Sequence, residues 1–191
     1  IEDFSDIVRD SMVGAGALEA LTYIHENEEN LTTMIEKNDD GNYVKVDNPL
    51  SEEYSAVRHL LFPSLLEVLQ QNKHNSYPQK FFEAGDVVET DDSPTGASEK
   101  RKIAYVVTES DADFTDARKA LQVLERDLGI ELEVGKEERQ FFKEDRAGKI
   151  VLGGEGVGFI GEFSDKVRRN WDLEKKVAGF ELDLEKISEK R

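Results

Sequence analysis

The sequence contains no cysteine and only three histidines among its 191 residues. Because it has no thiol, the chain can form neither a disulfide framework nor a zinc–thiolate site. His25, His59 and His74 are scattered and lack the spacing of metal ligands, so we expect structural or solvated side chains. The serines lack a neighbouring base pattern that would activate a nucleophile. We therefore predict no catalytic, cofactor-binding or metal-ligating residue in this chain.

Long apolar runs are also missing. No stretch approaches the roughly 18 residues of a membrane span, and no signal-peptide pattern is present. We expect a cytoplasmic protein that does not contact membranes. The first residue is not Met and the chain starts inside an amphipathic segment, which favours a fragment of a longer protein. Residues 1–191 are enough for a single domain with a core that needs no metal.

Basic residues are scarce: the sequence has 25 Lys and Arg against 42 Asp and Glu, a net charge of −17. Such a surface repels phosphates, so we expect no DNA binding and no direct role in binding nucleic acid. One interpretation is a surface for a basic partner. The other is a halophilic cytosol, where molar salt screens repulsion to about 3 Å. The acids are dispersed from Glu2 to Glu189, which favours the halophile.

The N-terminal segment predicts a helix followed by a strand. Phe4, Ile7, Val8 and Met12 recur at three- and four-residue steps and so share one helical face. A strand is expected from Leu21 to Ile24.

The next apolar stretch predicts a second helix and a long strand. Its apolar residues fall on one helical face: Val57, Leu60, Leu61, Leu65, Val68 and Leu69. Ser51 is a candidate cap, and Pro63 either kinks this helix or opens a second one, which would stop near Asn72. Phe81, Phe82, Val87 and Val88 predict a strand with a bend or bulge at Gly85-Asp86.

The remaining residues predict alternating strands and helices. A turn is expected at residues 39–42, a mobile loop over 90–102 and a half-buried strand over 103–107. The clearest helix spans Phe114 to Leu128, with Asp111 or Asp113 as cap and Gly129 at its end. A hairpin over 150–163, a short helix capped by Ser164 and a strand through Phe180, Leu182 and Leu184 complete the chain. Since hairpins and helices both join the strands, we predict an α+β fold with a mostly antiparallel sheet.

Gly156, Gly158 and Gly161 spell the GxGxxG pattern of dinucleotide-binding loops. In that loop the third glycine opens a helix, so that phosphate lies at the helix N-terminus. Here residues 159–163 predict a strand and the helix begins only at Ser164. A nucleotide-binding domain remains the alternative hypothesis, and glycines that let strands turn and pack closely are the favoured interpretation.

Two stretches resemble a known family, the β subunit of phenylalanyl-tRNA synthetase in its archaeal/eukaryotic form. They are NPLSEEYSAVRHLLFPSLLEVLQQNKHNSYPQKFFEAGDVVE and RAGKIVLGGEGVGFIGEFSDKVRRNWDLEKKVAGFELDLEKI. The resemblance implies the synthetase-like core of class II enzymes: a mostly antiparallel sheet flanked by helices.

The resemblance also implies that this core is not catalytic. Catalytic class II subunits carry one arginine at the end of the second-motif strand and another in the third motif, both of which hold ATP. The matching strand FFEAGDVVET has residues 86–89 in that region, and VAGFELDLEKI has Glu181, Asp183 and Glu185. Acidic residues would repel phosphate.

The resemblance implies a partner and an interface. The segment DFSDIVRDSMVGAGALEALTYI is similar to the helix and strand of the first class II motif, which associates subunits. Phe4, Ile7, Val8 and Met12 would therefore contact the catalytic α subunit in an α₂β₂ heterotetramer that binds tRNA-Phe, with ATP and Mg²⁺ bound elsewhere. The editing and Mg²⁺ sites of the family lie upstream of Ile1. A free-standing synthetase-like regulator is a further alternative.

Overall fold

The computed structural model describes residues 1–36 and 43–191, so the turn predicted at residues 39–42 lies outside the described residues. The helices of the described residues are α1 (Glu2–Gly14), α2 (Glu28–Leu31), α3 (Phe62–Asn72), α4 (Phe114–Leu128), α5 (Asp165–Asn170) and α6 (Leu184–Lys190). The strands are β1 (Leu18–Glu19), β2 (His25–Glu26), β3 (Val44–Lys45), β4 (Ala56–Val57), β5 (Gln79–Thr90), β6 (Ala97–Glu109), β7 (Glu133–Lys136), β8 (Phe142–Leu152), β9 (Glu155–Phe163) and β10 (Lys176–Asp183).

A seven-stranded sheet dominates the architecture, with strand order β1-β5-β6-β10-β9-β8-β7. All neighbours are antiparallel except the short parallel pair of β1 and β5 at one edge. A second small sheet, in the order β2-β4-β3, lies beside it. The predicted α+β class with a mostly antiparallel sheet is confirmed.

Helices cover both faces of the sheet. Apolar residues of α1, α4 and α6 form one core with alternate residues of the strands, and those of α3 and α5 form another core with the remaining ones. In β6, Ile103, Tyr105 and Val107 face the first core, while Ala104 and Val106 face the second. The prediction of a half-buried strand over 103–107 is therefore wrong, because both of its faces are buried.

Helix α4 has the limits that its sequence predicts. The Asp113 side chain accepts a hydrogen bond from the Asp116 N–H at 3.1 Å, and the Asp116 carboxylate in turn accepts from the Asp113 N–H at 3.2 Å. Gly129 ends the helix in the left-handed conformation with φ 67°. Both ends are fixed by local chemistry, which is why they could be predicted.

The stretch around Pro63 was predicted only in part. Ala56 and Val57 belong to β4, and the helix begins at Phe62 with Pro63 in its first turn, so one helix over 57–69 is wrong. Pro63 lacks the N–H that a continuing helix needs, which fixes a helix start here. The predicted stop at Asn72 is confirmed.

Predictions of one strand, one loop and one bulge need correction. The segment predicted as a strand, Leu21–Ile24, lies between β1 and β2 rather than in a strand. Residues 97–102 are paired with β5, so the loop predicted over 90–102 comprises only residues 91–96. The register of β5 and β6 runs unbroken past Gly85, so there is no bulge there.

In the C-terminal region, turn and cap residues fix where the strands and helices begin and end. The predicted hairpin is formed by β8 and β9 and turns at Gly153-Gly154, where both φ angles are positive. The Ser164 hydroxyl caps α5 by accepting the Val167 N–H. The last strand ends at Asp183, whose carboxylate caps α6, so Leu184 is helical and not in the strand.

Candidate functional site

Helix α1 carries the four residues predicted to contact a partner. Phe4, Val8 and Met12 are buried in the core beneath α1, together with residues of α4 and the sheet. Ile7 is 42% exposed. Phe4, Val8 and Met12 therefore pack mainly within this chain, whereas Ile7 exposes surface that a partner could contact.

A group of exposed apolar residues follows α1 at the edge of the large sheet. Leu18 belongs to β1, the outermost strand, and Leu21 and Tyr23 follow it with exposed fractions of 84% and 78%. The Tyr23 ring meets the Tyr54 ring edge-on, with 6.4 Å between centroids. We call Leu18, Leu21, Tyr23 and Tyr54 the apolar edge. The sequence signal for this edge was the alternation of Leu21 and Tyr23, from which a strand was predicted.

A buried polar network holds the apolar edge against the sheet. Arg58 donates from Nη2 to Oε1 of Glu83 at 2.8 Å and from Nη1 to the Thr22 hydroxyl at 2.6 Å. Thr22 also donates to Oε2 of Glu83 at 2.7 Å. Because Thr22 lies between Leu21 and Tyr23, this network fixes the backbone from which both exposed side chains project.

A cavity of about 670 Å³ opens on the α3 side of the sheet, where β5 ends and β6 and β9 begin. We call it the sheet cavity. Its walls include Leu60, Phe141 and Phe159, and its polar lining comes mainly from lysines and acids of the central strands.

Lys102 and Glu181 form the floor of the sheet cavity, and Glu181 is only 1% exposed. Lys102 Nζ donates to the His59 carbonyl at 3.0 Å and to the Glu89 carboxylate at 2.7 Å. Burial disfavours charge on Lys102, but the Glu181 and Glu89 carboxylates outweigh it and raise the lysine pKa. Burial raises the pKa of Glu181, whose Oε2 accepts the Leu61 N–H at 2.9 Å.

Arg139 is a cavity residue for which the sequence carried no signal. Its guanidinium carbon lies 4.0 Å from the centroid of the Phe159 ring, and one guanidinium nitrogen lies 3.2 Å from Glu137. Stacking on an aromatic ring holds the guanidinium plane in place. No local pattern in the sequence pairs residues 139 and 159, because Arg139 lies in the connection between β7 and β8 and Phe159 lies in β9, so only the tertiary fold brings them together.

The acids at the two expected arginine positions all have partners within the chain. Asp86 pairs with Arg101 at 2.6 Å, and Glu89 pairs with Lys102. In the C-terminal segment Glu181 lies on the cavity floor, Asp183 caps α6, and Glu185 lies 3.4 Å from Lys100.

The three glycines of the GxGxxG pattern lie within β9, not at a helix N-terminus. A Cβ on Gly158 would lie 2.2 Å from the Glu181 carbonyl oxygen, and one on Gly161 would lie 2.5 Å from the Phe142 ring. These glycines allow neighbouring strands and side chains to approach closely. Their position does not favour the nucleotide-binding hypothesis.

The histidines lie in different surroundings. His25 is in β2, His59 is buried with its ring stacked on Tyr43 at 6.0 Å, and His74 is exposed. Across residues 1–36 and 43–191, no group of three His, Asp or Glu side chains could hold a metal ion. In the same residues, no helix is long and apolar enough to cross a membrane.

Residues 1–184 match the family described as "Phenylalanyl tRNA synthetase beta chain CLM domain". The chain is 38% identical over 186 residues to the phenylalanine–tRNA ligase beta subunit of Pyrococcus abyssi, covering 96% of this chain and 33% of that protein. It is 36% identical over 186 residues to the beta subunit of Methanocaldococcus jannaschii, covering 97% of this chain and 34% of that protein. The chain thus spans about a third of the length of these curated relatives.

Among solved structures, the fold is similar to that of a pyrrolysyl tRNA synthetase, PylSc of Desulfitobacterium hafniense. The TM-score is 0.80, with 14% identity, over 97% of this chain and 66% of that one. At this identity the likeness concerns the fold alone, and it agrees with the class II synthetase-like core implied by the sequence. From the match over residues 1–184 and the identities to two beta subunits, the chain belongs to the family of phenylalanyl-tRNA synthetase β chains and corresponds to their CLM domain.

Proposed function

We propose that this chain is the non-catalytic synthetase-like core of a phenylalanine–tRNA ligase β subunit. Its own role is assembly with the catalytic α subunit, in an α₂β₂ complex that joins phenylalanine to tRNA-Phe with ATP and Mg²⁺. Family membership over residues 1–184 supports the proposal. The single structural observation that carries it is the pair of carboxylates on the cavity floor, where a class II enzyme would hold phosphate: Glu89 and Glu181 flank Lys102.

Electrostatics explain why such a floor does not support the ligase reaction. An enzyme that activates an amino acid must stabilise the negative charge that develops on phosphate. Here the charge of Lys102 is already compensated by Glu89, 2.7 Å away, and by Glu181, 3.5 Å away. A polyphosphate placed at this floor would meet two carboxylates.

The α subunit would contact Ile7 and the apolar edge. Leu21 and Tyr23 expose most of their surface in this chain, and such exposed apolar area is typical of interaction sites when it is contiguous. The network of Arg58, Glu83 and Thr22 pre-organises this segment, which lowers the entropic cost of association. Phe4, Val8 and Met12 support the interface from within by anchoring α1.

The acidic surface suits a cytoplasm of high salt. With a net charge of −17, the chain repels itself and other acidic molecules at low ionic strength. Molar salt reduces the range of this repulsion to about 3 Å. We therefore propose a halophilic host and assembly in molar KCl.

Sedimentation velocity of this chain, alone and mixed with the α subunit in molar KCl, tests the assembly role. We expect a faster heteromeric species. Ile7→Asp and Leu21→Asp should each remove it while circular dichroism shows a folded chain, because a charge at an apolar contact must be desolvated. Lys136→Asp, on the strand at the opposite edge of the sheet, is the matched control and should leave association unchanged.

Two outcomes would contradict the proposal. If the wild-type chain is folded but forms no heteromeric species, the assembly role of this chain is wrong. If Leu21→Asp assembles as well as wild type while Lys136→Asp does not, the interface lies on the other edge of the sheet.

A further inference from the structure

The sheet cavity has a charge balance opposite in sign to that of the chain. The whole sequence carries a net charge of −17, whereas cations outnumber acids among the lining residues by five to four. The cationic lining residues are Lys100, Lys102, Arg139, Lys149 and Lys186, and the acidic ones are Glu89, Glu155, Glu181 and Asp183. Concave surfaces concentrate the field of their charges, so this cavity attracts anions more than the rest of the surface does.

The positive charge is concentrated at the rim, where it is least compensated. Lys149 forms no ion pair with any residue of 1–36 or 43–191. Lys186 lies 3.8 Å from Glu155, and Lys100 lies 3.4 Å from Glu185. Charge-assisted hydrogen bonds have lengths of about 2.7–2.9 Å, so these rim contacts are weak. The rim therefore has cationic capacity left for a ligand.

The floor contains a buried polar atom that needs a hydrogen-bond partner. Oε1 of Glu181 is buried and has no hydrogen-bond partner among the described residues. The nearest cation, Lys102 Nζ, is 3.5 Å away, beyond the length of a charge-assisted hydrogen bond. Burying a carboxylate oxygen without a partner is costly. A hydroxyl group would satisfy both atoms, because it can accept from Lys102 and donate to Glu181.

We propose that the sheet cavity binds a small hydroxylated organic anion. Its phosphate or carboxylate contacts the basic rim near Lys149 and Lys186, and its hydroxyl lies between Lys102 and Glu181 on the floor. The carbon skeleton contacts Phe159 on the wall. The cavity volume of about 670 Å³ falls within the range of roughly 300–1,000 Å³ that is usual for small-molecule sites. The two carboxylates of the floor keep the anionic group at the rim.

Three probes test the contacts of the rim and of the floor separately, and a fourth distinguishes a carboxylate from a phosphate. Glycerol 3-phosphate carries an anion and hydroxyls, propyl phosphate has the same skeleton without hydroxyls, and inorganic phosphate is the anion alone. Glycerate replaces the phosphate by a carboxylate. Each is titrated into the ¹⁵N-labelled 191-residue chain at constant ionic strength, and the amide signals of Gly156 and Gly158 report on the cavity wall.

We expect saturable shifts of Gly156 and Gly158 with glycerol 3-phosphate or with glycerate, whichever anion the rim prefers. Propyl phosphate and inorganic phosphate should bind about tenfold more weakly than glycerol 3-phosphate, since the floor then stays unsatisfied. Lys149→Gln should weaken binding of every probe. Lys119→Gln, on the exposed face of α4, is the matched control and should weaken none.

Glu181→Gln tests the floor separately. The Leu61 N–H still needs an acceptor, so the amide oxygen replaces Oε2 and the amide nitrogen takes the position of Oε1. That nitrogen cannot accept the ligand hydroxyl, and the preference for glycerol 3-phosphate over propyl phosphate should disappear. Lys149→Gln keeps the proposal testable if Glu181→Gln fails to fold.

The proposal is wrong if neither glycerol 3-phosphate nor glycerate causes saturable shifts. It is equally wrong if glycerol 3-phosphate binds and propyl phosphate binds as tightly, or if Lys149→Gln and Lys119→Gln weaken binding by the same factor. In the last case the binding would be a diffuse response to charge and not a site.

Discussion

Arg58 and Glu83 form an ion pair in the interior of this chain: Nη2 lies 2.8 Å from Oε1, and each side chain is 3% exposed. The pair joins the segment before α3 to the middle of β5 and also holds Thr22 of the N-terminal segment. Gly85 makes room for it, because a Cβ there would lie 2.6 Å from Arg58 Nη2. Three distant parts of the chain are therefore connected through one charged contact.

Glu83→Ala should destabilise the chain by about 3–5 kcal/mol, because it leaves the Arg58 charge buried without a counter-ion. Chemical denaturation gives the free energy of unfolding. Glu2→Ala is the control: Glu2 also pairs with an arginine, Arg101 at 2.7 Å, but it is 65% exposed. The control should change stability by no more than about 1 kcal/mol. Equal losses in both variants would contradict the buried role of Glu83.

Gly158→Ala should destabilise the fold by more than about 2 kcal/mol, because its Cβ would lie 2.2 Å from a carbonyl oxygen of the neighbouring strand. Gly14→Ala is the matched control, since a Cβ there meets nothing within 4 Å at the end of α1. The control should stabilise by up to about 1 kcal/mol, as alanine favours a helix. Thermal unfolding measures both. A Gly158→Ala variant as stable as wild type would contradict the close-packing role of this glycine.

Glu181 should make the free energy of unfolding depend on pH at values above those where a glutamate ordinarily titrates. Burial raises its pKa in the folded chain. The folded state therefore binds this proton more tightly than the unfolded state does, so its contribution is fully present below the unfolded pKa of 4.5 and is lost as the pH rises through the folded pKa. As the pH rises from 4.5 through the folded pKa, the wild type should therefore lose stability relative to Glu181→Gln.

Denaturation of wild type and Glu181→Gln at pH values from 4 to 8 measures this difference. Subtracting the two curves removes the contribution of the other carboxyl groups. A difference that stays constant with pH would show that Glu181 titrates at its ordinary pKa, and that burial does not disfavour its charge.

Salt should stabilise this chain at neutral pH. Raising KCl from 0.1 M to 2 M shortens the screening length from about 10 Å to a few ångströms. The excess of 42 acids over 25 basic residues means that repulsion between acids weakens more than ion pairs do. The unfolding temperature should therefore rise. Near the sequence pI of about 4.6 the same salt should have a smaller effect, and an equal effect at both pH values would exclude the charge mechanism.

Elements with local signals could be predicted from the sequence. The limits of α4 follow from Asp113, Asp116 and Gly129, which act on the backbone within three or four residues. The start of α3 near Pro63 and the turn at Gly153-Gly154 have the same origin. In each case a single side chain fixes a backbone angle or satisfies a terminal N–H, and neither effect depends on the rest of the fold.

The candidate sites could be predicted only in part. The helical periodicity of α1 identified Phe4, Ile7, Val8 and Met12 as one face, but periodicity cannot tell a core from an interface. In the structure α4 and the sheet cover three of these side chains, and Ile7 remains exposed. The sheet cavity had no local signal at all, because Lys102, Arg139 and Glu181 come from separate parts of the chain.

The sequence by itself determined the family, the α+β class, the ends of α4 and the acidic surface. These follow from residue order over short spans and from composition. The tertiary structure decided which apolar residues are buried, where charges meet and which cavity forms, as in the contact of Lys102 with Glu89 and its proximity to Glu181. The physical reason is that strand pairing and burial act between residues far apart in sequence, and both set the environment that fixes a side chain's chemistry.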